Sequence, residues 1–302
     1  MATPRFSGVI PPVPTILNAD EQLDRRGMAT LIDHVIAGGV NGVFFLGSAG
    51  EFAHMSTALR HEVAEFCTDY VAGRVPVLIG AAHPGTAETL ALTEHAHRCG
   101  ADGVVVVNPY YNPLSEENLC LHYQTLAEAS PLPILLYNFP ALTGQNLPVS
   151  VIKTLAERCP NIVGLKDTVD TLSHIRETIQ AVKPVRPDFA VFAGYDEYLF
   201  GTLILGGDGC IPASANFAPE LTCGIYRAWQ SQSWETLIGL QQRLSFIPPL
   251  YSLDTPFYNV VKEAIRLTGV EIPVHSLRPA QPLSAEKREI VRGVLRQSGL
   301  LA

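Results

Sequence analysis

Apolar residues gather along this chain into eight short continuous runs, at 8–13, 42–47, 76–81, 103–108, 133–138, 162–167, 189–194 and 209–213. Runs of this length without polar alternation suit strands covered on both faces. Between them the apolar positions fall at helical steps of three and four. In "STALRHEVAEFCTDYVAG", Leu59, Val63, Phe66 and Tyr70 form such a stripe, with Ser56 as the expected N-cap and Gly73 as the stop. The segment "TAETLALTEHAHRCG" repeats the plan, with Thr86 capping and Gly100 closing.

Strands alternating with helices, one unit every 20 to 35 residues or so (about one βα repeat), predict an α/β protein of the (β/α)8 TIM-barrel class. A doubly wound open sheet is the competing arrangement. It announces itself by a Gly-rich turn after its first strand, whereas here the first strand runs into "PPVPT". The barrel is expected to fill residues 1–232, with a helical domain, 233–302, packed on it. Helices are expected over 234–246, 254–269 and 285–299. Thr255 and Pro256 read as a cap and first-turn pair, and Phe257, Val260, Val261, Ala264 and Ile265 as a buried stripe.

Composition narrows the function classes. Hydrophobic residues make up 47% and charged residues 17%, the balance of a core-rich globular protein. The formal charge is -8 and no basic cluster exceeds Arg25–Arg26, which argues against a nucleic-acid or anionic-membrane surface. No apolar run of spanning length occurs, and the opening "MATPRFSGVIPPVPT" has no signal-peptide core. Cys67, Cys99, Cys120, Cys159, Cys210 and Cys223 form no C-x-x-C pair and read as reduced, buried thiols. The expectation is a soluble cytoplasmic protein.

Among 21 Lys and Arg residues the lysines are only Lys153, Lys166, Lys183, Lys262 and Lys287. Lys166 ends the apolar run of "NIVGLKDT". Desolvation lowers an amine's pKa, and a neutral amine can condense with a ketone to an iminium, an electron sink for the adjacent C–C bond. The competing reading is an ion-paired or surface lysine, but Asp167, next in sequence, points to the opposite face of a regular strand. Tyr137, one strand earlier, is either a proton shuttle or a core tyrosine. "GSAG" (47–50) has the small residues, backbone N–H groups and Ser48 hydroxyl of an anion nest, or of an ordinary strand–loop turn. "NPYYN" offers two phenols, Tyr110 and Tyr111.

In order and position, "GSAGE", "NPYYN", "YNFPALTG", "GLKDT" and "GYDE" resemble the dihydrodipicolinate synthase/N-acetylneuraminate lyase family over essentially the whole chain. Within it, "LGSAGEF", "YNFPALTGQ" and "LDTPFYNVVKEAI" are most similar to the 2-keto-3-deoxygluconate and 2-keto-3-deoxypentonate aldolases. The resemblance implies Lys166 as the Schiff-base lysine and Tyr137 as the general acid/base. It implies Ser48 as a proton relay that, with Ala49, holds the pyruvate carboxylate. Tyr111 would be lent to a neighbouring subunit's site in a homotetramer, and Gly194 and Ile211 would line the pyruvate pocket. Asp196 and Glu197 would bind sugar hydroxyls, as in the sialic acid lyases; the alternative is the capped start of the seventh helix. Two positions depart from the family. Ala49 lacks the hydroxyl common there, a loss of ~1 kcal/mol in carboxylate binding. Leu142 replaces the arginine with which dihydrodipicolinate synthases grip a second carboxylate, so that activity is set aside.

The function expected is a class I, pyruvate-dependent aldolase that cleaves a 2-keto-3-deoxy sugar acid to pyruvate and an aldehyde such as glyceraldehyde or glycolaldehyde. Its partners are small-molecule keto acids and aldehydes, and it needs no cofactor beyond the covalent Schiff base through Lys166. No metal is expected, since His54, His61, His95 and His97 lie away from strand ends, and "GGDG" (206–209) is too short for a phosphate fingerprint. A Schiff-base dehydratase, a sialic-acid-type lyase and a non-catalytic pyruvate-binding barrel are the alternatives.

Overall fold

The computed structural model describes residues 3–302. Eight strands are present: β1 (Gly8–Val9), β2 (Val43–Phe45), β3 (Val77–Gly80), β4 (Gly103–Val107), β5 (Ile134–Asn138), β6 (Ile162–Asp167), β7 (Ala190–Ala193) and β8 (Gly209–Cys210). Their order in the sheet, β1-β8-β7-β6-β5-β4-β3-β2, keeps the strands from β2 to β8 in sequence order, as in a (β/α)8 fold. Pairings from β3 through β8 are parallel. The helices between and after them are α1 (Arg25–Ala37), α2 (Thr57–Val71), α3 (Thr86–Arg98), α4 (Glu116–Ala129), α5 (Pro140–Thr143), α6 (Val149–Arg158), α7 (Leu172–Val182) and α8 (Leu199–Ile204). Then come α9 (Pro219–Gln230), α10 (Trp234–Leu244), α11 (Tyr258–Leu267) and α12 (Ala285–Gln297).

The chain divides into two compact units. One joins the segment ending at Gly8 to Leu78–Ile211, and the other joins Val9–Val77 to Pro212–Ala302. The first contains β4 to β8. Its strands are apolar on both faces, as in the wholly buried "GVVVV" of β4. Gly164 in β6 is there because the backbone of β7 crowds it: a Cβ would sit 2.7 Å from the Ala190 carbonyl oxygen. The expected first strand, 8–13, shortens to Gly8–Val9. Pro11, Pro12 and Pro14 have no N–H to donate to a ladder, yet the segment still runs beside β2, with Phe44 N donating to Pro11 O and Val13 N to Phe44 O.

Helix boundaries differ from expectation for local reasons. Ser56 caps α2, accepting from Leu59 N at 3.2 Å, but the buried face is Arg60, Val63, Ala64, Cys67, Thr68 and Val71. Phe66 and Tyr70 stack on one another beside it, at 5.8 Å. At α3 the cap is Gly85, and Thr86 is already helical, its hydroxyl paired with His122 Nδ1 at 2.8 Å. Thr255 and Pro256 precede α11 instead of capping it. Every residue from Tyr258 to Ile265 in α11 is buried, so over that stretch the expected apolar stripe is one side of a helix covered all round, with exposure returning at Arg266.

Candidate active site

In the first unit the ends of β5 and β6 lie in register, Tyr137 beside Lys166 and Asn138 beside Asp167. Alternation along each strand therefore sends Tyr137 and Lys166 to one face and Asn138 and Asp167 to the other. Lys166 is 3% exposed, and its Nζ lies 4.2 Å from the centroid of the Tyr137 ring. Burial pulls the amine down to about 7, against the opposing pull of Cys210 and Asp196, which favour the charged form. At neutral pH a large fraction of this amine is thus unprotonated, while the electron-rich ring face accommodates the charged fraction.

Other expected residues gather at the same level. Asp196 opens a 3-10 turn (Asp196–Tyr198) after β7, is buried, and acts electrostatically on Lys166. Gly194 donates its N–H to Asp167 O at 2.8 Å, and a Cβ there would fall 1.8 Å from Thr168 Oγ1. Ile211 is wholly buried and donates its N–H to Ala193 O. Glu197 follows Asp196 in the same turn: burial foremost, with Asp196 and Asp170 adding, pushes its carboxyl up to about 7. Tyr111 does not join the cluster. It is 88% exposed, with φ at +78°, a left-handed backbone uncommon for a side-chain-bearing residue.

Three residues of this unit escaped sequence reasoning. Asn138 donates to Asp167 Oδ1 at 2.9 Å and to Asn146 Oδ1 at 2.9 Å, and accepts from Leu147 N at 2.9 Å. His174, on α7, places Nδ1 2.7 Å from Asp167 Oδ2 and Nε2 3.1 Å from Leu147 O. The parity of "YNFP" and "LKDT" is the signal that pairs Asn138 with Asp167, but the histidine's contact is tertiary. Cys210, at the end of β8, is buried, with its thiol directed at Tyr195 O, 3.6 Å away, and its pKa pushed up by burial.

The second unit carries the "GSAGE" loop. Ser48–Gly50 forms a 3-10 turn after β2, bracketed by left-handed Leu46 (φ +57°) and Glu51 (φ +64°). Gly50 N donates to Gly47 O and Glu51 N to Ser48 O, and Thr15 Oγ1 donates to Gly50 O at 2.8 Å. One amide of the expected nest, that of Gly50, thus closes the turn. Glu51 itself is fully buried. It pairs with Lys262 on α11 and accepts from Leu277 N at 2.8 Å, while Lys262 also donates to His275 O at 2.6 Å. Neither partner was singled out from the sequence, although a lysine inside the apolar "NVVKEAI" is the same kind of signal as Lys166.

No helix among the described residues is long and apolar enough to cross a membrane. The profile of the Dihydrodipicolinate synthetase family matches residues 5–298. The chain is 49% identical over 292 residues to the putative 2-dehydro-3-deoxy-D-gluconate aldolase YagE of Escherichia coli K12, covering 97% of each. It is 46% identical over 297 residues to the probable 2-dehydro-3-deoxy-D-pentonate aldolase YjhH of the same organism, covering 98% of this chain and 99% of that one. The crystal structure of YagE in complex with pyruvate superposes with a TM-score of 0.96 at 48% identity, over 98% of this chain and 99% of that one.

Proposed function

Since the chain belongs to the dihydrodipicolinate synthetase family, we propose that it is a class I aldolase cleaving a 2-keto-3-deoxy sugar acid to pyruvate and an aldehyde such as glyceraldehyde or glycolaldehyde. The observation that carries this reading is the buried Lys166 amine, held near neutrality against the Tyr137 ring. Relatives at 49% and 46% identity that bear aldolase names support it.

Lys166 Nζ attacks the C2 carbonyl of the keto acid, and loss of water from the carbinolamine gives the iminium. Tyr137 takes the proton of the C4 hydroxyl as the C3–C4 bond breaks. The bonding pair moves into the iminium to form an enamine, and the aldehyde leaves. Protonation at C3 and hydrolysis return pyruvate and the free lysine. Synthesis of the keto acid runs the same steps backwards, and no cofactor or metal enters them. Ser48 and the backbone of Ala49 hold the substrate carboxylate, Gly194 and Ile211 line the pyruvate end, and Asp196 takes a hydroxyl of the aldehyde end.

Tyr111 acts in a neighbouring subunit of a homotetramer, a role its exposure and strained backbone support. We further propose that residues 1–232 form the catalytic barrel, that residues 233–302 form a helical extension, and that the protein works in the cytoplasm. Incubation with pyruvate and borohydride tests the Schiff base. The expected result is a reduced pyruvate adduct on the Lys166 peptide, absent in Lys166→Ala. No adduct at saturating pyruvate would overturn the reading. Release of an aldehyde from 2-keto-3-deoxy acids, in place of a dehydrated semialdehyde, separates the aldolase from a dehydratase.

A further inference from the structure

The ring of His174 faces hydrogen-bond acceptors on both sides. Asp167 Oδ2 lies 2.7 Å from Nδ1, and the Leu147 carbonyl oxygen lies 3.1 Å from Nε2. A carbonyl can only accept, so Nε2 must carry a proton. The carboxylate already accepts from Asn138 on its other oxygen and asks for a second donor. A doubly protonated ring satisfies both contacts, in a setting where the His174 side chain is 11% exposed and Asp167 is fully buried. Both ends of one loop converge on this pair. Residues 139–147 leave β5 directly after Tyr137 and Asn138 and return at Leu147, whose N–H is held by Asn138 and whose carbonyl is held by His174. At the start of the loop, Phe139 stacks on Tyr137 with centroids 5.9 Å apart, and meets Tyr195 edge-on.

We propose that His174, as an imidazolium bridging Asp167 to the Leu147 carbonyl, is a positioning residue. It fastens the loop 139–147 and so keeps Phe139 packed against Tyr137, the neighbour of Lys166. The assignment rests on the reading of Lys166 and Tyr137 as the catalytic pair. Burial pulls the pKa of His174 down, and the hydrogen bond to Asp167, the charge of that carboxylate, the Leu147 carbonyl and Glu177 together outweigh it, for a net rise. Among the described residues, Asp167 from β6 and Glu177 from α7 itself are the charged groups acting on the ring; α6, α8 and β7, also packed on α7, supply none. The sign follows. The bridge is complete below the ordinary histidine pKa of about 6.5 and is lost as pH rises through the higher folded value.

Two measurements test it. Nitrogen NMR of the histidine-labelled protein reports ring protonation directly, whatever a variant does to folding. Protonation of both ring nitrogens of His174 up to a midpoint above that of free histidine is the expected result, and a midpoint at or below it overturns the proposal. The second is the pH profile of kcat/KM in wild type and His174→Gln, which keeps one donor and does not titrate. The expected outcome is a drop of about tenfold at pH 7, with the alkaline limb of the profile removed and the acid limb of Lys166 kept. Equal lowering at every pH marks a packing role only and overturns the proposal. The borohydride adduct on Lys166 of the wild type is the separate control: its absence defeats the Schiff-base reading and the positioning role with it, while ring protonation still decides whether the bridge exists.

Discussion

Lys166 and Tyr137 sit side by side on adjacent parallel strands, the lysine amine 4.2 Å from the centre of the phenol ring. That relationship ties the reactivity of the amine to a neighbour that is also a proton donor and acceptor. It further means that the nucleophile is kept where charge is costly.

Activity should therefore follow the titration of Lys166. With the amine lowered to about 7, the acid limb of kcat/KM rises with pH through that value, because the neutral form attacks, and His174→Gln shows this limb without the alkaline fall. A pH–rate profile that is flat from pH 5.5 to 8.5 would contradict the assignment.

The same burial makes the lysine a liability for folding. A group that binds its proton less tightly in the folded state destabilises that state most at pH below the folded pKa, and the penalty fades as pH rises toward the unfolded value of about 10.4. Lys166→Met, inactive, should melt at a higher temperature than wild type at pH 6, by a few degrees or about 1 kcal/mol, with the gain shrinking by pH 9. Calorimetry at the two pH values decides it.

Removing only the phenol hydroxyl isolates proton transfer. Tyr137→Phe keeps the ring beside the amine and should leave the melting temperature near wild type, while kcat for cleavage falls by about 10²–10⁴. Steady-state assays paired with thermal melts check both halves of the statement.

Glu51 and Lys262 are a buried, mutually dependent pair. Glu51→Gln or Lys262→Met alone should cost about 3–5 kcal/mol, because each leaves its partner charged or unsatisfied in the interior. The double variant should recover part of that loss. A urea-denaturation double-mutant cycle with additive effects would refute the coupling.

Tyr111 offers a test of assembly that needs no structure of the complex. Lys166→Ala and Tyr111→Phe are each expected to be nearly inactive. Refolding the two together should restore a fraction of wild-type activity, since hybrid assemblies bring an intact lysine together with an intact tyrosine. No recovery on mixing would place Tyr111 outside the neighbour's site.

The strand plan was legible in the chain because each apolar run had to be covered on both faces, and β6 appears with the expected limits, Ile162–Asp167. The prolines after Val9 shortened β1, an effect readable in principle from their missing donors. Lys166, Tyr137 and Asp196 were visible because they stand at or just past strand ends, where side chains meet without help from distant sequence. His174 and Lys262 were not. Each finds its partner across a tertiary gap, Asp167 seven residues away around a strand–helix turn, Glu51 more than two hundred residues back. Nothing local in "LSHIR" announces such a contact, and the lysine of "VVKEA" announces burial but not its partner. The α2 stripe was misplaced for a related reason: Phe66 and Tyr70 are apolar enough to suggest a core, yet they find cover in one another.

The pairing of Glu51 with Leu277 has a consequence for how the protein is made. These residues lie 226 positions apart. At about 5–20 residues per second, a ribosome reaches Leu277 on the order of ten to forty-five seconds after Glu51. For most of that interval the loop beginning at Ser48 exists without the lysine that pairs its glutamate, and for all of it without the backbone donor. This turn is synthesised long before it can be finished, and a nascent chain stalled before α11 already carries Lys166 and Tyr137 while still waiting for the groups that brace Glu51.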